Sequence, residues 1–334
     1  MDFTFTDDQV AFREAVAELL AKECTPDRLR EAWAGDGRAP GLWDRLVEMG
    51  VVGLLVPEQD GGLGMTELDL VGMVEEVGRA GAPDPVARVA GVIVPLLSEV
   101  ANEDAVALLP GIADGTVRPV LRLPGERFVD HVADATVVLV AEGEELLSLD
   151  PTAVTATAEP ATDGGAQLVE LTFDPGQAEV LSPEAGAAAA EAAERTTLFT
   201  AAELVGLAGR MLDDTVEYAK DRQQFGVPIG SFQAVKHHLA NVRKQLEFAR
   251  PAVYAAAWEV AAQTDTRSRA VSVARVLAGD AAELAAKVGL QVHGAIGYTD
   301  EADLHLFMKR VWTLAAVGGT PSQHARRVAD QLLA

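Results

Sequence analysis

Apolar positions recur along this chain with two different periods. Val10, Phe12, Val16, Leu19 and Leu20 fall on one helical face, and Thr6 stands three residues before Gln9 at capping-box spacing, which predicts an amphipathic first helix. A stretch with Gly35, Gly37, Pro40 and Gly41 leads to a second predicted helix, Leu42 to Met49. After it, Gly50 to Gly64 alternates glycine with aliphatics and ends in a turn. Leu68 to Gly81 and Val86 to Ala101 read as two further helices, the latter apolar nearly all round and so expected to be buried. To about Val117 the pattern is helical throughout. From Arg118 to about Val180 the period drops to two. Val169, Leu171 and Phe173 alternate with Glu170 and Thr172, Ala135 to Val140 is a second short β run, and Gly, Pro and Asp turns separate them. A small antiparallel sheet unit is expected there.

The helical period returns at Ser182, read as an N-cap with Pro183 in the first helical position. Helices are expected at roughly Pro183 to Gln224, Phe232 to Thr264, Ser268 to Val292, Glu301 to Leu314 and Pro321 to Leu333. Long helices with short connections predict an antiparallel bundle. Between the first two, the helical pattern ends by Gly226, a proline-containing turn runs through Gly230, and Ser231 is the expected N-cap of a helix whose Phe232, Val235, Leu239, Val242 and Leu246 form a stripe to be buried. Arg222, Phe225 and Gln233 gather at this turn. A planar cation, an aromatic ring and an amide could hold a pyrophosphate and a purine, with the next helix's N-terminus adding a positive dipole end.

Charge narrows the partners. The 334 residues carry 27 Lys plus Arg against 51 Asp plus Glu, a formal net of −24 and a pI near 4.5, so nucleic acid and anionic membranes are poor partners. A single cysteine, Cys24, excludes an internal disulfide framework and a multi-cysteine metal site and fits a reducing cytoplasm. The segment Met-Asp-Phe-Thr-Phe-Thr-Asp-Asp has no basic and apolar regions of a signal peptide. Charged residues and Trp258 interrupt the alanine-rich runs, so no membrane span is expected. His237 and His238 point to different helix faces, and His293, His305 and His324 lack partners at ligand spacing, so no metal site is expected. His237 is expected to pack or hydrogen-bond.

Arg222-x-x-Phe-Gly-x-Pro-Ile-x-x-Phe-Gln-x-x-x-His237 resembles a signature of the acyl-CoA dehydrogenases, flavoenzymes that place an α,β double bond into acyl-CoA thioesters. Gln291-Val-His-Gly-Ala-Ile-Gly-Tyr-Thr-Asp-Glu301 is similar to a second signature, with Ala295 where a second glycine is usual. Pro57-Glu58 followed by Gly61-Gly62-Leu63-Gly64 is similar to the family's N-terminal helical domain, and as residues these glycines read as a tight turn. The resemblance spans essentially the whole chain. It implies a mostly α fold with a small β middle domain: an N-terminal helical domain over 1–117, a reduced β-domain over 118–180 and a C-terminal four-helix bundle over 181–334. It also implies that Arg222, Phe225, Gln233, Gln291, Gly294 and Gly297 contact FAD bound mainly by another chain.

The resemblance is broken in two places. The family's β-domain carries a Thr-Glu-Pro…Gly-Ser-Asp motif that cradles the flavin ring, and nothing between Gly115 and Asp134 resembles it. The family's catalytic Glu, which takes the α-proton while the flavin accepts the β-hydride, matches Gly318. Other members place that Glu near the start of the first long bundle helix, a position that falls at about Thr196, with Glu194 and Glu203 close by.

The resemblance therefore implies a non-catalytic subunit of a heteromeric, α2β2 dehydrogenase of the kind some actinobacteria use on steroid side chains. It would complete a shared FAD site whose base belongs to a paralogous partner, act on an acyl-CoA, and pass electrons to an electron-transfer flavoprotein in the cytoplasm. Three other readings stand beside it. They are a self-sufficient homo-oligomer using Glu203 or Glu194, a flavin-free scaffold, and a nucleic-acid-binding offshoot that would need a basic face.

Overall fold

The computed structural model describes residues 4–100 and 102–333. In chain order the helices are α1 (Asp7–Glu23), α2 (Pro26–Ala34), α3 (Leu42–Glu48), α4 (Glu67–Ala80), α5 (Val86–Arg88), α6 (Val94–Glu99), α7 (Glu103–Val106) and α8 (Leu109–Ala113). Strands β1 (Pro119–Arg122), β2 (Phe128–Val129), β3 (Val137–Glu142), β4 (Glu145–Leu149), β5 (Val154–Ala158), β6 (Val169–Phe173) and β7 (Glu179–Ser182) follow. The C-terminal part holds α9 (Gly186–Asp221), β8 (Gln223–Gln224), β9 (Val227–Pro228), α10 (Gln233–Ala261), α11 (Arg267–His293), α12 (Leu304–Ala315) and α13 (Pro321–Leu333). This is the mostly helical architecture with a small β middle that the sequence predicts.

The chain divides into two compact units. One comprises Met1–Leu29, Val71–Ala82 and Thr200–Ala334. Leu204, Val205, Leu207, Ala208 and Met211 of α9, Val242, Leu246 and Val253 of α10, and Val271, Ala274 and Ala278 of α11 line its core. In this unit α4 crosses α9 at main-chain distance. A Cβ on Gly206 would lie 1.9 Å from the Glu75 carbonyl oxygen, and one on Gly78 would lie 2.2 Å from that of Glu203. Beside the crossing the buried Glu75 carboxylate accepts from Arg250 Nε at 2.8 Å and from the Tyr254 hydroxyl, and Arg13 Nη2 lies 3.4 Å away. Burial, and then the charge of Glu75, push the Tyr254 phenol far above its ordinary range.

The second unit comprises Arg30–Leu70 and Pro83–Phe199. It holds two sheets, of strand order β1-β3-β4-β7 and β2-β6-β5, around Val120, Val138, Val140, Leu147, Leu149 and Leu171. All pairs are antiparallel but one: β1 runs parallel to β3. The carboxylate of Asp84 is buried in this unit, accepting from Ala39 N at 3.4 Å with Arg38 Nη1 at 3.9 Å. Desolvation pushes its pKa up to about 6 against the pull of Arg38.

Several boundaries differ from the sequence reading. Ser182 caps no helix: it ends β7, and α9 starts at Gly186. Pro183 therefore lies in the connection and not at a first helical position. The first long helix stops at Asp221, because β8 and β9 form a two-residue-loop hairpin through Phe225 and Gly226. α10 is capped by Phe232, whose side chain makes no cap bond, while the Ser231 hydroxyl donates to the Pro228 carbonyl at 2.7 Å. Along α10 the stripe is buried only from Val242 onward; Val235 and Leu239 are half-buried and Phe232 is exposed. The helix α2 has no counterpart in the sequence reading, where Gly35 and Pro40 drew the stretch into a loop. The predicted buried helix from Val86 is interrupted by a π-turn over Val89–Ile93, and its expected end, Ala101, lies outside the described residues.

Gly206→Ala is expected to destabilise the bundle by about 3 kcal/mol or more, since main chain meets the new methyl and cannot swing aside. Urea unfolding measures it, and a loss below about 1 kcal/mol would contradict the crossing. For Asp84 a raised carboxyl pKa means its contribution is full below about pH 4 and lost as pH rises through 6. Asp84→Asn should therefore gain on the wild type by about 2–3 kcal/mol between pH 4 and 7. Thermal melts across that range check the sign.

Candidate functional site

The turn after α9 is a hairpin in which Gln223 pairs with Pro228 and Gln224 with Val227. Its two central residues, Phe225 and Gly226, both have positive φ, 55° and 82°. Such a loop matches the right-handed twist of the strands, and glycine adopts it freely, but a phenylalanine there is a strained exception. The ring points outward: Phe225 is 92% exposed, standing edge-on to Phe232 with centroids 6.1 Å apart. Arg222 and Gln233 are also exposed, on either side of the hairpin. Because no side chain caps α10, its first N–H groups remain open beside them.

The second motif ends α11. Gln291 and Gly294 are exposed, while Gly297 is buried against His293 and Leu290. Gly294 has φ 64°, and a Cβ there would meet nothing within 4 Å, so main chain is presented to open space where a ligand could lie close. Tyr218, one turn before Arg222, joins the two motifs. Its ring stacks on His293 at 4.2 Å and 17°, and its hydroxyl donates to the His293 carbonyl at 3.3 Å. The end of α9 that leads into Arg222 is thereby tied to the end of α11, next to Gly294. Tyr218 has no role in the sequence reading, and His293 enters it only as a histidine without partners at ligand spacing. Their signal was the one-turn spacing of Tyr218 from Arg222.

Cationic and amide donors around an uncapped helix end, an outward ring and a glycine edge fit a dinucleotide with its pyrophosphate. The carboxylates do not gather there. Gly318 is an exposed glycine at φ 73° with no side chain to act as a base. Thr196 is buried, donating to the Ala192 carbonyl at 2.9 Å and accepting from Arg88 Nη1 at 2.8 Å. Glu203 is buried with its main chain against Gly78 and its Oε1 3.7 Å from Arg310 Nη2; Glu194 is half-buried. His237, expected to pack or hydrogen-bond, is exposed. Among the described residues no group of three His, Cys, Asp or Glu side chains could hold a metal, and no helix is long and apolar enough to cross a membrane.

Residues 6–116 match the acyl-CoA dehydrogenase N-terminal domain and residues 186–333 its C-terminal domain. The chain is 34% identical over 325 residues to acyl-CoA dehydrogenase IpdE2 of Mycolicibacterium smegmatis, covering 97% of this chain and 98% of that protein. Its fold is similar to a chain of the ChsE4–ChsE5 complex from Mycobacterium tuberculosis, with TM-score 0.87 and 23% identity over 100% of this chain and 99% of that one. It is also similar to a chain of the Tcur3481–Tcur3483 steroid ACAD G363A variant, with TM-score 0.85 and 24% identity over 98% of each chain.

Tyr218→Leu should loosen the join between the two turns while leaving the bundle folded. Losing a stack and a hydrogen bond, together about 1–2 kcal/mol, predicts roughly a 5- to 30-fold rise in amide exchange at 222–232 and 291–298. Unchanged exchange there would mean the two motifs are held independently.

Proposed function

This chain belongs to the acyl-CoA dehydrogenase family of flavin-dependent oxidoreductases, and from that premise we propose that it is the non-catalytic subunit of a heteromeric member. In this reading it contributes Arg222, Phe225, Gln233, Gln291, Gly294 and Gly297 to an FAD held jointly with a paralogous subunit, in an α2β2 assembly. Residues 1–117, 118–180 and 181–334 would be its N-terminal helical, reduced β and bundle segments. The observation that carries the reading is the outward Phe225 ring, set on a left-handed main chain with almost none of its surface covered in the lone chain. Glycine at position 318 agrees with it, since the partner must then bring the carboxylate.

FAD, when bound, accepts the β-hydride of the acyl thioester. What this chain would do is bind and orient. Arg222 gives paired N–H donors to phosphate, the open end of α10 adds main-chain donors, Gln233 and Gln291 offer amides, and Phe225 covers a planar ring. The substrate class we propose is a steroid-derived acyl-CoA, supported by the steroid enzyme named among its structural relatives and by the paired subunits of the other. An electron-transfer flavoprotein is the proposed acceptor. The self-sufficient alternative is disfavoured by Glu203, which is buried with its main chain against Gly78 and its carboxylate 3.7 Å from Arg310 Nη2.

Co-expression with a neighbouring acyl-CoA dehydrogenase-like partner tests this. The lone chain should purify colourless and the pair yellow, with one flavin for every two chains. In the pair, Arg222→Ala removes charge-assisted bonds of about 1.5–3 kcal/mol and should weaken flavin retention roughly 10- to 100-fold. Gly318→Glu should add no turnover. A yellow, active lone chain would overturn the proposal.

A further inference from the structure

Among the described residues Arg275 is the largest fully buried side chain, at 0% exposure, and no carboxylate there forms an ion pair with it. Only Nη2 is bonded: it donates to the carbonyls of Leu314 at 3.2 Å, Ala315 at 3.0 Å and Val317 at 3.3 Å, which end α12. Nε and Nη1 have no partner. An arginine without a counter-ion is costly to bury, and what draws it here is the negative end of the α12 dipole. The next carbonyl is held from the same side. His324, 2% exposed, places Nε2 2.9 Å from Gly318 O, and its Nδ1 lies 3.3 Å from the Ser272 hydroxyl. Four carbonyls in the stretch 314–318 are therefore turned inward onto two side chains, and the turn leaves through Gly318 and Gly319 at φ 73° and 105°.

We propose that Arg275 is a positioning residue, fixing with His324 the turn 316–319 that carries glycine where the family carries its base. The assignment of that position rests on the family reading above. The conformation of the turn does not, and it is what the test reads. Held from beneath by its carbonyls, the turn keeps its shape with no side chain at 318. Burial above all holds His324 below its ordinary pKa; its bond to the Gly318 carbonyl opposes this, while the positive charges of Arg275 on α11 and Arg327 on α13 add to the lowering, and the uncharged Ser272 faces it from α11.

The experiment uses the full-length chain alone, without flavin or partner, so its failure is separate from failure of the shared-site reading. Amide exchange is followed residue by residue in wild type, Arg275→Met and Arg275→Lys, with the His324 imidazole titrated by NMR. In Arg275→Met, exchange at 316–320 should rise at least about 10-fold while α10 and the rest of α11 keep their protection. The His324 pKa should move up in that variant, and Arg275→Lys should restore both readouts towards wild type. Unchanged exchange at the turn, or a rise spread evenly through the bundle, would overturn the proposal. If Arg275→Met does not fold, His324→Phe carries the test: the same local rise supports it, and wild-type protection of 316–320 defeats it.

Discussion

Two helices approach only as closely as their side chains allow, and where α4 meets α9 there are none. Gly78 and Gly206 let the helices come to main-chain contact, with carbonyls of Glu203 and Glu75 filling the space that any other residue's Cβ would need. So close a crossing fixes helix register, because sliding by one residue would bring a side chain into the seam. Register in turn decides which α9 side chains face inward. It holds Glu203 beneath α4 and puts the Glu75 carboxylate within reach of Arg250 and Tyr254. A carboxylate so placed serves packing: Glu203, near the expected helical base position, is buried with its main chain against Gly78 and its Oε1 3.7 Å from Arg310 Nη2.

Charge is distributed with the same economy. The chain is strongly acidic, yet between positions 220 and 245 the sequence holds Lys220, Arg222, Lys236, Arg243 and Lys244 against Asp221 alone. Against a net of −24 this is a local basic island. Lys220, Arg222 and Lys236 flank the hairpin and the uncapped start of α10 in the sequence, so phosphate would meet a more favourable potential here on a molecule whose overall field repels it. Inside, by contrast, Arg13 and Arg250 are matched by Glu75 and Glu76, and Arg195 by Glu67 and Glu99. Arg275 differs: only its Nη2 is bonded, to carbonyls at and just past the end of α12, and among the described residues no carboxylate pairs with it.

Much of this was legible in the sequence, for identifiable reasons. Helical periodicity placed α1, α3, α4 and the bundle helices to within a few residues, because each has a buried stripe and a polar remainder. Periodicity could not find α2, whose nine residues are too short for a repeating stripe. It misread Phe232 as core, since an apolar residue at helical spacing looks the same whether a neighbour covers it or not. The hairpin was missed because Phe-Gly is not the Asn-Gly or Asp-Gly pair that announces such loops. The parallel pairing of β1 and β3 is long-range and leaves no local trace. Motif residues were named from the sequence; the Tyr218–His293 stack that sets the two turns side by side was not, because contacts between residues 75 positions apart are written only in the fold.

The left-handed Phe225 has a consequence for how fast anything can dock on it. Fixing a residue's main chain costs about 1–2 kcal/mol of conformational entropy, and a loop that orders on contact meets that cost during association. Here the hairpin is already closed, its two strand pairs formed and its ring held outward in the free chain. The ordering has been done at folding. Encounter is then a matter of rigid surfaces finding their orientation, and the rate is set by diffusion and charge steering, not by waiting for a flexible loop to take shape.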